Sequence, residues 1–323
     1  MKVTLDLSRL LRDGAITAEE HDRLAGLGRR DTGLLLVNVL VGFGVFAVAA
    51  GAVALVPSPM TGVVLGGLLM AAGLGLLAAR PEWSILANIC ILVAALMLGA
   101  GIILLGQGVG LRDGKAPSAP PLSFDAACLL VAALFAGSAA LARSSLLAAL
   151  TVLVLFVVLG SSSAYEHAFY ALRVRQPLAT VAAFSGLAFA AHVASLRLVG
   201  DWERLAIVVA RTAVFLVNLG FWVGSLWGDA LDWLAVPHAD VPPAAFSAAW
   251  AAALLGVALW AGRGNRRWVL NLVAVFGGIH FYTQWFEHLG ATPGSVLLAG
   301  VLLLGLAVLL WQLNREPRAE AAR

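Results

Sequence analysis

The chain consists mainly of apolar runs, each about twenty residues long, that short polar segments separate. Within a run the apolar residues are continuous and do not alternate with polar ones. A helix of about 20 apolar residues covers the roughly 30 Å hydrocarbon core of a bilayer, whereas the strands of a membrane β-barrel alternate over about ten residues. The pattern therefore predicts an all-α fold, a polytopic transmembrane helix bundle with about ten spans.

The predicted spans are 33–56, 60–79, 83–106, 124–142, 146–164, 177–196, 206–228, 244–262, 268–286 and 293–313. Residues 1–32 are predicted to form a small cytosolic two-helix element, and residues 314–323 a cytosolic tail. Spans 124–142 and 146–164 are short and close together, so they either both cross the bilayer or form one re-entrant unit. Both alternatives leave the later loops on the same sides.

Arginine and lysine predict the orientation of the spans. With the N-terminus in the cytoplasm, sixteen of the 21 basic residues lie in inner segments and four lie in outer loops. Such an excess on one side is typical of cytoplasmic loops. Both termini are therefore predicted to be cytoplasmic.

Composition supports a membrane protein and excludes several other classes. Hydrophobic residues make up 61% of the chain and charged residues only 12%, compared with about 25% charged in soluble domains. The net charge of +3 and the lack of a basic stripe argue against nucleic acid as a partner. The lipid bilayer is the predicted partner of most of the surface.

The N-terminal segment carries helix signals of its own. Asp13–Gly14 predicts a stop or turn after a short apolar helix. Thr17 and Glu20 have the spacing of a capping box, which predicts that a second helix begins there. An element this small does not fold alone, so we expect residues 1–32 to pack on the membrane body, on a second copy or on a protein partner.

The run Leu10-Leu11-Arg12-Asp13-Gly14-Ala15-Ile16-Thr17-Ala18-Glu19-Glu20, followed closely by a multi-pass body, resembles a family of bacterial membrane proteins of unknown function, the domain-of-unknown-function 2157 family. Its core is also similar to a short motif in oligomerisation segments of other bacterial proteins. The resemblance covers about the first thirty residues. It implies a bacterial inner-membrane protein and supplies no catalytic residue.

Polar residues enter the spans about one turn from the predicted cytoplasmic edge. One hypothesis is an inner polar layer centred on Arg211, formed by Asn38, Asn88, His192, Arg211 and Asn271. The alternative is that Arg211 extends to the interface and the amides connect neighbouring helices. Arg211, Asn218 and Ser225 also share a stripe, either a sparse polar track or a packing seam.

An outer polar face is predicted near the other end of span 268–286. His280, Gln284, Glu287 and His288 have the spacing of one helical face. Imidazole and carboxylate suit a divalent metal or a solute site, but scattered histidines at an interface are usually hydrogen-bonded structural groups. No metal, cofactor or catalytic residue is predicted, because nucleotide-binding and nucleophile motifs are missing from the sequence.

Three functions fit these features. The favoured one is a structural, sensory or interaction role through residues 1–32, because charge within the membrane is scarce. The second is a permease or exporter of a small or lipophilic solute. The third is an intramembrane enzyme that uses the outer His and Glu residues, and we do not expect this activity.

Overall fold

The computed structural model describes residues 10–11, 14–79, 83–108, 122–166, 169–231, 240–264 and 267–314, and the statements on structure below concern these residues. They contain ten bounded helices: α1 (Ala18–Leu55), α2 (Pro59–Ala79), α3 (Ser84–Gly106), α4 (Phe124–Ala142), α5 (Ser145–Val158), α6 (Pro177–Ser195), α7 (Asp201–Trp227), α8 (Pro243–Arg263), α9 (Arg267–Leu289) and α10 (Pro293–Asn314). Two antiparallel hairpins pair β1 (Ser161–Glu166) with β2 (Phe169–Val174) and β3 (Asp229–Ala230) with β4 (Asp240–Val241).

Six of the described helices are long and apolar enough to cross a membrane, namely α2, α3, α4, α6, α7 and α8. Shorter apolar stretches lie in α1, α5 and α10. Large apolar side chains such as Phe43, Leu55 and Leu297 are more than two-thirds exposed, as lipid-facing residues are. The protein is therefore an all-α, multi-pass membrane protein in contact with the lipid bilayer.

Helix α1 joins the N-terminal element to the first apolar run. It is 38 residues long, or about 57 Å at 1.5 Å per residue. The chain has no break at the predicted boundary after residue 32, and the second N-terminal helix continues to Leu55. Gly28 and Gly33 do not stop the helix, since isolated glycines weaken a helix without ending it. Residues 1–9 and 315–323 lie outside the described part of the chain.

The predicted start of α1 is confirmed in detail. The Thr17 hydroxyl accepts a hydrogen bond from Glu20 N at 3.2 Å, and Glu20 Oε2 accepts one from Thr17 N at 2.9 Å. The bond from the Thr17 backbone lowers the pKa of Glu20, which favours the charged form that closes the box. The predicted turn is also present: Ala15 N donates to Leu10 O and Gly14, at φ 68°, donates to Leu11 O, as in a Schellman motif.

The predicted span 146–164 is wrong at its C-terminal end. Helix α5 stops at Val158 after 14 residues, which cover only about 21 Å. Gly160 has a φ of +77°, which ends the helix, and a Cβ there would lie 2.8 Å from Arg175 Cδ. The serines from Ser161 onward continue as strand β1. The other nine predicted spans coincide with helices, although α7 begins at Asp201, five residues before its predicted start.

The chain divides into two compact units, Met1–Val158 with Arg197–Val208 and Leu159–Leu196 with Val209–Arg323. In the first, helices α2 and α3 pack closely through glycine. A Cβ at Gly73 would lie 2.7 Å from Ile91 Cγ1 and 3.0 Å from Ala87 O, and one at Gly66 would lie 3.1 Å from Ala94 O. Small residues let helix backbones approach each other where lipid removes the hydrophobic driving force.

The core of the second unit is aromatic instead. Trp250, Leu254 and Phe276 are buried, and partly buried residues of α7 and α9 pack against them. Trp250 is 1% exposed, which makes it one of the largest fully buried side chains among the described residues. This core fixes the part of α9 that carries the predicted outer polar face.

We predict that Gly73→Ala destabilises the protein, because the added methyl group meets the backbone of α3, and overpacking costs about 1–3 kcal/mol. The matched control is Gly75→Ala on the same helix, where a Cβ meets nothing within 4 Å. Thermal unfolding of the two variants in detergent measures the difference. Equal melting temperatures would show that α2 and α3 do not pack as described.

Candidate functional site

The predicted outer polar face lies on α9, and the structure divides it into two parts. His280 and Gln284 are half-buried, whereas Glu287 and His288 are exposed. The His288 ring nitrogen Nδ1 lies 2.8 Å from Gln284 O, which ties it to its own helix. The inner half of the face therefore belongs to the packed interior of the unit, and the outer half belongs to the surface.

Trp250 on α8 forms the wall beside His280. The two rings meet edge to face, with centroids 4.8 Å apart, and Phe221 stacks with Trp250 at 6.5 Å. Trp250 Nε1 donates to Asn218 Oδ1 at 2.9 Å, and Asn218 Nδ2 donates to Val214 O at 2.8 Å. Because Asn218 fixes the indole, Trp250 holds the imidazole in a defined position.

A second hydrogen bond between side chains of different helices lies in the same unit, and this one joins α7 to α9. Trp222 Nε1 donates to Thr283 Oγ1 at 3.1 Å, and the Thr283 hydroxyl donates to Ile279 O at 2.7 Å. The interior next to His280 and Gln284 is thus built from tryptophan and from polar groups that already have partners.

Two buried nitrogen atoms of this face have no partner among the described residues. They are His280 Nδ1 and Gln284 Nε2. An amide nitrogen donates, and the Nδ1 of a neutral imidazole donates or accepts according to its tautomer. Buried polar groups without partners are uncommon in native structures. The two nitrogen atoms therefore lack hydrogen bonds that buried groups of this kind usually make.

The described residues contain no group of three or more His, Cys, Asp or Glu side chains that is placed to hold a metal ion. Among the described residues of the second unit, no hydrogen bond joins His192, Arg211 and Asn271 of the predicted inner polar layer. Arg211 is exposed, and its guanidinium carbon lies 4.7 Å from the ring centroid of Trp268. His192 is half-buried and Asn271 is exposed. Asn88 carries a buried Oδ1 without a partner, and the side chain of Asn38 lies outside the described part of the structure.

The stripe on α7 has a structural role at two of its three positions. Asn218 and Ser225 are buried. Asn218 binds Trp250 and its own helix, and the Ser225 hydroxyl donates to Trp222 O at 2.8 Å. Both side chains take part in contacts within the unit, as the packing-seam interpretation expects.

Asp229, one of several acidic residues in the predicted outer loops, has a structural role that its sequence context does not predict. It is 5% exposed, and its Oδ2 accepts a hydrogen bond from Leu178 N at 2.8 Å. Gln176, at the start of α6, makes no side-chain cap, so a carboxylate from 51 residues further along the chain caps that helix instead. The helix dipole also favours a negative charge at this end. The sequence offers no signal for a cap so distant along the chain.

Comparison of the chain with protein-family models, curated proteins and solved structures finds no match.

We predict that Trp250→Phe lowers the stability of the protein, because it leaves Asn218 Oδ1 buried without a donor. Such a loss costs about 1–3 kcal/mol. Trp260→Phe on the same helix is the control, since Trp260 is 49% exposed. Thermal unfolding in detergent compares them, and equal stability of the two variants would contradict the role given to the Trp250–Asn218 bond.

Proposed function

We propose that this protein is a bacterial inner-membrane protein that crosses the bilayer ten times, with both termini in the cytoplasm, and that it acts in protein–protein interaction through its N-terminal segment. The interaction is either self-association or binding of a protein partner. The observation that carries the proposal is helix α1, which runs unbroken from a charged N-terminal segment into the first apolar run.

The length of α1 supports a role outside the membrane. A helix of about 57 Å exceeds the roughly 30 Å hydrocarbon core by about 18 residues. The first part of α1 carries acidic and basic residues, among them Glu19, Glu20 and Arg23, and its described charged side chains are exposed. Because α1 is capped at Thr17 and continuous with a span, it connects a partner bound in the cytosol directly to the membrane body. The resemblance of the N-terminal run to a family of bacterial membrane proteins implies the same location.

The contact between Arg143 and Trp202 supports the predicted number of crossings. The guanidinium carbon of Arg143 lies 3.9 Å from the Trp202 ring centroid, and Arg204 Nη2 donates to Arg143 O at 3.1 Å. The end of α4 and the start of α7 thus meet, so the chain between them makes an even number of crossings. Since α6 is long enough to cross, the short α5 is the crossing in the other direction. Local bilayer thinning accommodates a short span at modest cost.

The half-exposed tryptophans support the same topology. Trp83, Trp202, Trp260 and Trp268 are between 40% and 52% exposed, and all four lie near predicted inner edges of the spans. Amphipathic rings favour the membrane–water interface. The arginine excess on the same side adds the cytoplasmic orientation.

A permease for a small or lipophilic solute is the second candidate. The observation that favours it is the pair of unpartnered nitrogen atoms on α9. A solute site within a helix bundle needs a few polar groups in an otherwise apolar and aromatic lining.

We predict that crosslinks to a partner or to a second copy disappear when residues 1–32 are deleted, while membrane insertion is unchanged. A milder variant, Thr17→Val with Glu20→Ala, removes the cap and should weaken the crosslinks. Membranes that contain the full chain and each variant are crosslinked, and the products are purified and weighed by mass spectrometry. Ser123→Ala removes the cap of α4 and serves as the control. Unchanged crosslinks after deletion would contradict the interaction role.

A further inference from the structure

The unpartnered nitrogen atoms of His280 and Gln284 form a pair on one face of α9. Residues four positions apart on a helix are direct neighbours, with Cβ atoms about 5–6 Å apart. Both nitrogen atoms are shielded from solvent, and neither reaches the other or any further hydrogen-bonding group of the described residues. A single group that reaches both nitrogen atoms would complete the hydrogen bonding of the pair.

The polar neighbours whose bonds the structure gives do not supply that group. Asn218 donates to Val214 O and accepts from Trp250, and Thr283 accepts from Trp222 and donates to Ile279 O. His288 forms a hydrogen bond with the backbone oxygen of Gln284, so the side-chain nitrogen Nε2 of Gln284 remains without a partner. Because these partners are already engaged, none of these described neighbours supplies the missing hydrogen bonds.

The two nitrogen atoms define the chemistry of the group. Gln284 Nε2 donates, so the group needs an oxygen that accepts. His280 Nδ1 donates or accepts, and a hydroxyl oxygen matches either tautomer because it both accepts and donates. The Trp250 ring, which meets the imidazole edge to face, adds an aromatic wall. Tryptophan beside a few placed polar groups is typical of sites for small organic molecules.

We propose that His280 and Gln284 form a binding site for one hydroxyl oxygen, which accepts a hydrogen bond from Gln284 Nε2 and bonds His280 Nδ1. The hydroxyl belongs either to a bound water molecule or to a small organic solute. The site does not depend on the interaction role of the N-terminal segment. An organic hydroxyl is what the permease candidate requires, whereas a bound water molecule makes the site structural.

A double-mutant cycle on the full chain in detergent tests the proposal. His280→Phe keeps a ring beside Trp250, and Gln284→Leu keeps a similar volume. If a hydroxyl bridges the pair, each single variant lowers the apparent melting temperature by about 2–4 °C. The double variant then lowers it no further than the larger single effect, since one bridge is lost once. Glu287→Gln is the control, because Glu287 is exposed on the same helix.

Unchanged or increased stability of the single variants would overturn the proposal. If Gln284→Leu and His280→Phe are as stable as the unchanged protein, or more stable, the two nitrogen atoms are unpaired groups that bind nothing. Replacing an unpaired buried polar group by an apolar one of similar shape is neutral or stabilising.

Glycerol serves as the probe that separates the two sources of the hydroxyl. The cycle is repeated with and without glycerol, which also stabilises proteins in general by exclusion from their surface. A larger rise for the unchanged protein than for the double variant supports an organic hydroxyl. An equal rise, with the destabilisation by the single variants retained, supports water.

If a variant does not fold, an experimental density map of the unchanged protein tests the proposal. Density within about 3.2 Å of both nitrogen atoms is the expected result. A direct bond between His280 and Gln284, or no density where other bound waters are visible, overturns the proposal.

Discussion

The structure depends on one constraint, which is that backbone N–H and C=O groups in hydrocarbon must be paired within the chain. Only helices and closed barrels satisfy this constraint, and continuous apolar runs select helices. Once helices are formed, lipid tails are as apolar as the side chains, so the hydrophobic effect no longer drives helices together. Close approach and internal hydrogen bonds take its place. The glycine contacts between α2 and α3 are the first kind, and the Trp250–Asn218 bond is the second.

The cores of the two compact units contain different kinds of side chain. In the first, small residues bring helix backbones into contact, as at Gly73 against Ala87 O. The second packs large aromatic rings, and these rings need polar partners for their N–H groups. Polar residues within the second unit's helices therefore accompany its tryptophans. This explains why Asn218 and Thr283 are engaged and makes the unpartnered His280 and Gln284 conspicuous by contrast.

Local signals in the sequence predict the helices well. Thr17, Glu20 and Gly14 act on neighbours three to five residues away, so their caps and turns can be found without the fold. The candidate face of α9 follows in the same way from helical spacing. The end of α5 was missed because Ser161 and its neighbours form a strand only when β2 pairs with them. The Asp229 cap and the Trp250–Asn218 bond join residues 51 and 32 positions apart, and only the folded chain brings them together.

The ten-span topology can be tested by the membrane sidedness of the loops. Reporter fusions after residues 32, 58, 144, 198 and 323, with one reporter active in the cytoplasm and one active outside it, measure it. We expect cytoplasmic activity after 32, 144, 198 and 323, and outside activity only after 58. If the fusions after 144 and 198 lie on opposite faces, or the two ends of the chain do, the ten-span topology is contradicted.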